Sequence, residues 1–379
     1  MTTVIHSVRL IDDGAVTPDA WIAFADGLVQ ATGTGGAWRE LPAADVIDGH
    51  GAHLAPGFVD IHGHGGGGAS FDDGVEAIRT ARAMHLAHGT TRAVVSLVTA
   101  SIDDLARRVA VVADLVERDA TILGSHLEGP FLDVGHKGAH TESLLCPADA
   151  ASVARLVDAG RGTVRQVTLA PELPGGLEAT AQFVAAGVAV AVGHTAATEA
   201  EARAAFDAGA TILTHAFNAM PGIHHRAPGP VIAAMRDERV TLELIADGTH
   251  VHPDVISLAF AGAPGRIALI TDAMAAAGAS DGHYELGGLA VTVTAGTARL
   301  DSNGAIAGST LTQDAALRLV VRGGLALPTA IAALTSVPAR AIGVAGRYGS
   351  LRPGASADAV VLDDDLRVRQ VWVNGAREV

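Results

Sequence analysis

The chain has a single cysteine, Cys146, in 379 residues. That excludes an internal disulfide and any multi-cysteine zinc or iron–sulfur site, and a lone cysteine reads as a small buried hydrophobe. Positive charge is also short, with 26 Lys plus Arg against 41 Asp plus Glu for a formal charge of −15, and Lys137 is the one lysine. Such a balance argues against nucleic acid or an anionic membrane as partner. Aromatic residues make up only 3%. Nowhere do about 18 apolar residues run uninterrupted, so no membrane-spanning helix is expected. Residues 1–13 show neither the charged start nor the apolar run of a signal peptide, and a cytoplasmic location is expected.

What the chain does have is apolar material, 49% of residues against 18% charged, which is enough for a large core. It also has 17 histidines. Imidazole is the commonest protein metal ligand, so metal chemistry becomes the leading expectation.

Residues 4–10, 20–25 and 28–32 read as short strands separated by Gly, Asp and Pro turns, a small β module. From residue 57 onward, β-branched runs alternate with stretches of helical period. Eight such runs occur, at residues 57–61, 91–97, 121–125, 165–169, 188–192, 211–214, 241–245 and 267–271. Eight β/α repeats predict an α/β fold, a (β/α)8 TIM barrel. Residues 284–300 read as a hairpin insertion, 312–325 and 328–335 as helices, and 358–362 and 368–373 as strands. The expected organisation is therefore a small β-sandwich domain formed from both termini (residues 1–54 and 346–379) around a barrel at 55–345. An open doubly wound sheet is the alternative.

The residues that follow the strands carry the chemistry. His62-Gly63-His64 follows the first, His126-Leu127-Glu128 the third, Gly193-His194 the fifth, His215 the sixth, Asp247-Gly248-Thr249-His250 the seventh and Asp272 the eighth. In a barrel these carboxyl ends converge on one face, where active sites are built. His62 and His64, two apart on extended chain, point the same way and can bind one ion together. Two other patterns are set aside. Gly63 to Gly68 formally match a dinucleotide-binding turn, but no acidic residue ends the next strand to hold a ribose, and the glycines read as room above the His pair. Gly278 to Gly282 match a nucleophile elbow, but no strand runs straight into them.

The arrangement resembles the metal-dependent amidohydrolase superfamily. Within it, His126-Leu127-Glu128-Gly129-Pro130-Phe131, Lys137-Gly138-Ala139-His140, Gly193-His194-Thr195, Thr214-His215-Ala216-Phe217-Asn218-Ala219-Met220-Pro221, Asp247-Gly248-Thr249-His250-Val251 and Thr271-Asp272-Ala273 are similar to the N-acetylglucosamine-6-phosphate deacetylases. The resemblance spans essentially the whole chain. It implies Glu128, His194 and His215 as ligands of a catalytic divalent ion, zinc first. Some members lack the His pair and use one metal; His62 and His64 here imply a second ion, bridged by Glu128 and approached by Asp272. It further implies metal-bound water as nucleophile, Asp272 as general base and acid, and His140 polarising the acetamide or holding the oxyanion. Arg226 would grip the phosphate, across a homodimer boundary if need be, with Asn218, Ala219 and His250 contacting the sugar phosphate. The loop 133–141 would be a mobile lid.

The expected reaction is hydrolysis of N-acetylglucosamine 6-phosphate to glucosamine 6-phosphate and acetate. The rivals are another amidohydrolase, such as an N-acyl-D-amino-acid deacylase or a dihydroorotase, and a non-catalytic sugar-phosphate sensor. Phe217-Asn218-Ala219-Met220 with Arg226 speaks against the first, and the presence of a general base against the second.

Overall fold

The computed structural model describes residues 2–379. Eight parallel strands form one sheet in strict chain order: Phe58–Asp60, Thr90–Val98, Ile122–Glu128, Val164–Leu169, Ala189–Val192, Ile212–Leu213, Thr241–Ile245 and Ile267–Ile270. They match the eight runs expected, within a few residues at each end. Thr90–Val98 is buried at every position. Burial on both faces of this kind arises because helices cover the outer face while the barrel interior fills the inner one.

The ring is closed by side chains as much as by backbone. Asp272 donates its main-chain N–H to the carbonyl of His62 at 2.8 Å, and the Thr271 hydroxyl donates to Asp60 Oδ2 at 2.7 Å. The last strand is thereby tied to the first at the level where the chemistry sits. Some of the helices between strands start on side-chain caps: Ser101 accepts from the N–H of Asp104 ahead of Ile102–Val116, and Thr198 forms a reciprocal pair with Glu201 ahead of Glu199–Asp207. Each cap satisfies amides that the first helical turn leaves without partners.

A second sheet of eight strands gathers both termini: Thr3–Asp12, Ala15–Ala25, Leu28–Thr34, Asp45–Asp48, His53–Pro56, Ala359–Leu362, Val368–Val373 and Ala376–Arg377. Asp13-Gly14, Asp26-Gly27 and Asn374-Gly375 all have positive φ. Two consecutive left-handed residues make the turn whose twist suits a tight hairpin. The sheet packs on a core that includes Ile22, Phe24, Leu54, Leu351 and Trp372, and the ring centroids of Phe24 and Trp372 lie 6.0 Å apart.

Arg92, fully buried at the start of the second barrel strand, fastens this sheet to the barrel. Its Nε donates to Asp358 Oδ2 at 2.6 Å and its Nη2 to Asp358 Oδ1 at 2.8 Å and Asn374 Oδ1 at 2.7 Å, with the guanidinium over the Tyr348 ring. The paired geometry matches the planar fork of arginine to a carboxylate.

Two expectations are corrected. The insertion at 284–300 is a three-stranded meander, Gly282–Leu286, Leu289–Thr294 and Thr297–Leu300, rather than one hairpin. Ala295-Gly296 adopts positive φ at both residues and supplies the second tight turn. The glycines at 63–68 allow close packing rather than leaving open room above the histidines. A Cβ on Gly65 would come within 2.4 Å of the Ala69 carbonyl, and one on Gly66 within 2.3 Å of Met84 Cε.

Candidate metal centre

The carboxyl ends of the strands bring two three-residue groups together, His62 with His64 and Asp272, and Glu128 with His194 and His215. Within each group the potential ligand atoms all lie within 4.8 Å of one another, and all six residues are buried. Glu128 joins the groups. Its Oε1 lies 3.2 Å from His62 Nε2, 3.1 Å from His194 Nε2 and 3.2 Å from His215 Nε2, and its Oε2 lies 3.1 Å from His64 Nε2. Asp272 Oδ1 is 3.3 Å from His64 Nε2 and 3.6 Å from His62 Nε2.

Several of these residues sit in costly backbone. His194, His215 and Asp272 have φ of 48°, 24° and 47°, and Phe217 and Ala219 have 79° and 51°. Left-handed conformation at non-glycine residues costs on the order of 1–3 kcal/mol each and gathers at functional sites.

The donor set suits a divalent cation. His194 Nε2 and His215 Nε2 stand 3.0 Å apart, both facing the same carboxylate oxygen. One proton serves one such pair, whereas an ion serves all of them, and imidazole with carboxylate is the ligand chemistry of hydrolytic zinc and its neighbours. The electrostatics agree. Burial pushes His64 down, but Asp272 and Glu128 outweigh it and raise it to about 9; His62 is likewise raised against its burial by Glu128, Glu243 and Asp272. Burial pushes Glu128 up, yet the His62 charge and the bonds from His140, His194 and His215 hold it well below the ordinary carboxylate range. The carboxylates thus draw positive charge into the pocket.

In front of the groups lies a cavity of about 290 Å³, lined among others by His140, Asn218, Ala219 and His250. His140 is held at Nδ1 by the Thr99 hydroxyl at 2.8 Å, and its Nε2 is 3.3 Å from Glu128 Oε2. His250 pairs with Asp247 through Nδ1 at 2.7 Å. Asn218 donates from its side chain to the His215 carbonyl at 3.3 Å. Arg226 stands apart, exposed on a loop outside the cavity wall with its N–H toward His224 Nδ1. The loop 133–141 is tied to a candidate ligand: His194 Nδ1 donates to the His136 carbonyl at 2.9 Å, and Asp133 donates its N–H to the His194 carbonyl at 2.9 Å.

Sequence reasoning passed over Glu243, Thr99 and Asp60, which hold His62, His140 and the Thr271 hydroxyl respectively. Glu243 left one signal, an acidic residue inside an otherwise apolar buried strand. His126, named beside Glu128, is occupied with Ser96 and Thr168 and packs under His62 with ring centroids 4.5 Å apart.

Comparison with known proteins agrees with this geometry. Residues 53–377 match the model of the amidohydrolase family. The N-acetylgalactosamine-6-phosphate deacetylase of Escherichia coli O157:H7 is 40% identical over 99% of both chains, and the N-acetylglucosamine-6-phosphate deacetylase of Vibrio furnissii is 34% identical over 98% of this chain and 92% of its own. Among solved structures, the N-acetyl-D-glucosamine-6-phosphate deacetylase of Mycobacterium smegmatis is 44% identical with a TM-score of 0.93, covering 100% of both chains. A mutant of that protein was solved in complex with N-acetyl-D-glucosamine-6-phosphate. The Pasteurella multocida N-acetylglucosamine-6-phosphate deacetylase superposes with a TM-score of 0.95 at 28% identity over 100% of both chains. With the family model covering most of the chain and the candidate ligands gathered at the strand ends, this protein is a member of the metal-dependent amidohydrolase family.

Proposed function

We propose that the protein hydrolyses N-acetylglucosamine 6-phosphate to glucosamine 6-phosphate and acetate in the cytoplasm, as a homodimer, with zinc as its metal. The observation that carries this reading is that two donor groups joined by Glu128, one of them containing Asp272, meet at a cavity of about 290 Å³ that Asp272 helps to line. No helix among the described residues is long and apolar enough to cross a membrane.

Two divalent ions would be held, one by Glu128, His194 and His215 and one by His62, His64 and Asp272, with Glu128 between them. An ion there supplies Lewis-acid polarisation of the acetamide carbonyl and acidifies a water molecule. Asp272 accepts the proton of the attacking water and returns it to the amine nitrogen as the C–N bond breaks, so that water is consumed and acetate leaves. His140 faces the acetamide oxygen and supports the charge that develops there. Asn218, Ala219 and His250 line the wall toward the sugar. Arg226 lies exposed and outside the wall of its own cavity, which suits a phosphate grip across the dimer boundary, where a guanidinium fork pairs with phosphate oxygens.

A second reading, the galactosamine epimer as substrate, is favoured by the likeness to the Escherichia coli O157:H7 protein. The test is acetate release from the two 6-phosphates and from unphosphorylated N-acetylglucosamine, with chelator-stripped protein before and after zinc is restored. Zinc-dependent turnover of N-acetylglucosamine 6-phosphate with little from the other two supports the proposal. Faster turnover of the galactosamine epimer replaces the substrate, equal turnover of both glucosamine forms removes the phosphate grip, and no acetate from any overturns the reading.

A further inference from the structure

Glu243 lies in the strand Thr241–Ile245 and is completely buried. Its Oε2 lies 3.0 Å from Nδ1 of His62 and accepts the main-chain N–H of His215 at 3.3 Å, while its Oε1 accepts from Gln166 Nε2 at 2.7 Å. A carboxylate only accepts, so Nδ1 of His62 carries a hydrogen, and Nε2 is the nitrogen left to bind an ion. That Nε2 makes no hydrogen bond among the described residues and faces Glu128 Oε1 at 3.2 Å and Asp272 Oδ1 at 3.6 Å.

None of the other candidate ligand imidazoles is backed this way. Nδ1 of His194 donates to a neutral carbonyl, and Nδ1 of His64 and of His215 has no partner among the described residues. The contact from Glu243 to His215 is to the main chain and leaves that ring alone. Nor do the three partners of Glu243 include a lysine or arginine. A carboxylate buried without a permanent cation is eased by positive charge on its partner His62, either a proton on that ring or an ion at its far side.

We propose that Glu243 is a positioning residue for one of the two ions: it fixes His62 as an Nε2 ligand and makes the His62, His64 and Asp272 position depend on it, while the Glu128, His194 and His215 position does not. The inference rests on the two-ion reading above and concerns the protein's affinity for metal, whatever acyl sugar is turned over.

The experiment is zinc binding to the chelator-stripped full chain, followed by calorimetry and by metal analysis after desalting. Wild-type protein should bind two ions. Outer carboxylates behind a metal-bound imidazole typically contribute 10–100-fold in affinity, so Glu243→Gln should weaken one binding event by that factor and leave the other unchanged, and Glu243→Leu should retain one ion. In a His62→Asn background, Glu243→Gln should change nothing further. Should the variants fail to fold, nitrogen-15 NMR of the wild-type zinc protein decides, since His62 must carry its proton on Nδ1. Two unaltered events in Glu243→Gln, equal weakening of both, or an Nε2–H tautomer of His62 overturns the inference. A wild-type chain that binds one ion overturns the two-ion reading and this inference with it.

Discussion

At the amino-terminal end of the barrel, Arg92 meets Asp358 with two paired bonds, and Asn374 and Tyr348 complete the surround. At the carboxyl end, Glu128 and Asp272 face His62, His64, His194 and His215, with imidazole nitrogens as close as 3.0 Å to one another. The charged groups at the centre of both clusters are buried, and both clusters tie together residues far apart in the chain. The first is complete with its own fixed charges and acts as a fastener. The second has no lysine or arginine and crowds imidazole nitrogens around two carboxylates, an arrangement that a divalent cation would complete. Burial of charge is therefore not in itself a mark of function; what marks it is whether the protein's own groups close the account.

The contrast can be broken at either end. The largest effect is expected for Asp272→Asn, which cannot take up the proton of the attacking water. Acetate release should fall about 10³–10⁴-fold, within the range of general acid–base contributions, while thermal unfolding changes little. A variant with full turnover would contradict the role given to Asp272. At the other end, Arg92→Met leaves Asp358 buried and unpaired, which should cost about 3–5 kcal/mol in urea unfolding without changing zinc stoichiometry. If it unfolds like the wild type, the fastener is decorative.

Smaller effects sharpen the comparison. Arg226→Ala removes a charge-assisted contact of about 1.5–3 kcal/mol, so KM for the phosphorylated sugar should rise about 10–100-fold with kcat nearly kept. Turnover of the unphosphorylated sugar should not change, and a parallel loss on both would show a structural role. The smallest effect is expected at Asp314. Burial pushes its carboxyl up, but His88, Thr312 and Arg318 outweigh that and hold it well below the ordinary value of 3.8. A folded-state pKa below the unfolded one stabilises the protein above about pH 4, and the gain is lost as pH falls further. Asp314→Asn should therefore be less stable than wild type at pH 7, with the gap closing in acid; a gap that does not vary with pH would contradict this assignment.

Much of the site was legible because its residues follow β-branched runs. A strand that ends in His62-Gly63-His64, Gly193-His194 or Asp272 announces its chemistry locally, and barrel geometry brings those ends to one face. Glu243 was not legible in its role, since its partner His62 lies 181 residues away and nothing near Thr241–Ile245 names it. The meander was half legible: Gly287-Gly288 marks one turn, but Ala295-Gly296 places a non-glycine residue at positive φ, which a turn search by residue type passes over. Arg226 carried its meaning only through resemblance, because an exposed arginine on a loop has no local feature that separates a ligand from a solvated side chain.

By itself the sequence determined the order and type of the elements, the apolar runs that need covering helices, and the strand ends at which ligands appear. These follow from periodicity and turn chemistry, which act over a few residues. Only the tertiary structure decided that Glu128 stands between both donor groups, that Glu243 backs one imidazole and not the others, that Thr99 holds His140, and that Arg226 lies outside its own cavity. Those are distances of about 3 Å between residues separated by tens to hundreds of positions. They are set by how the barrel closes and packs, which no local stretch of sequence encodes.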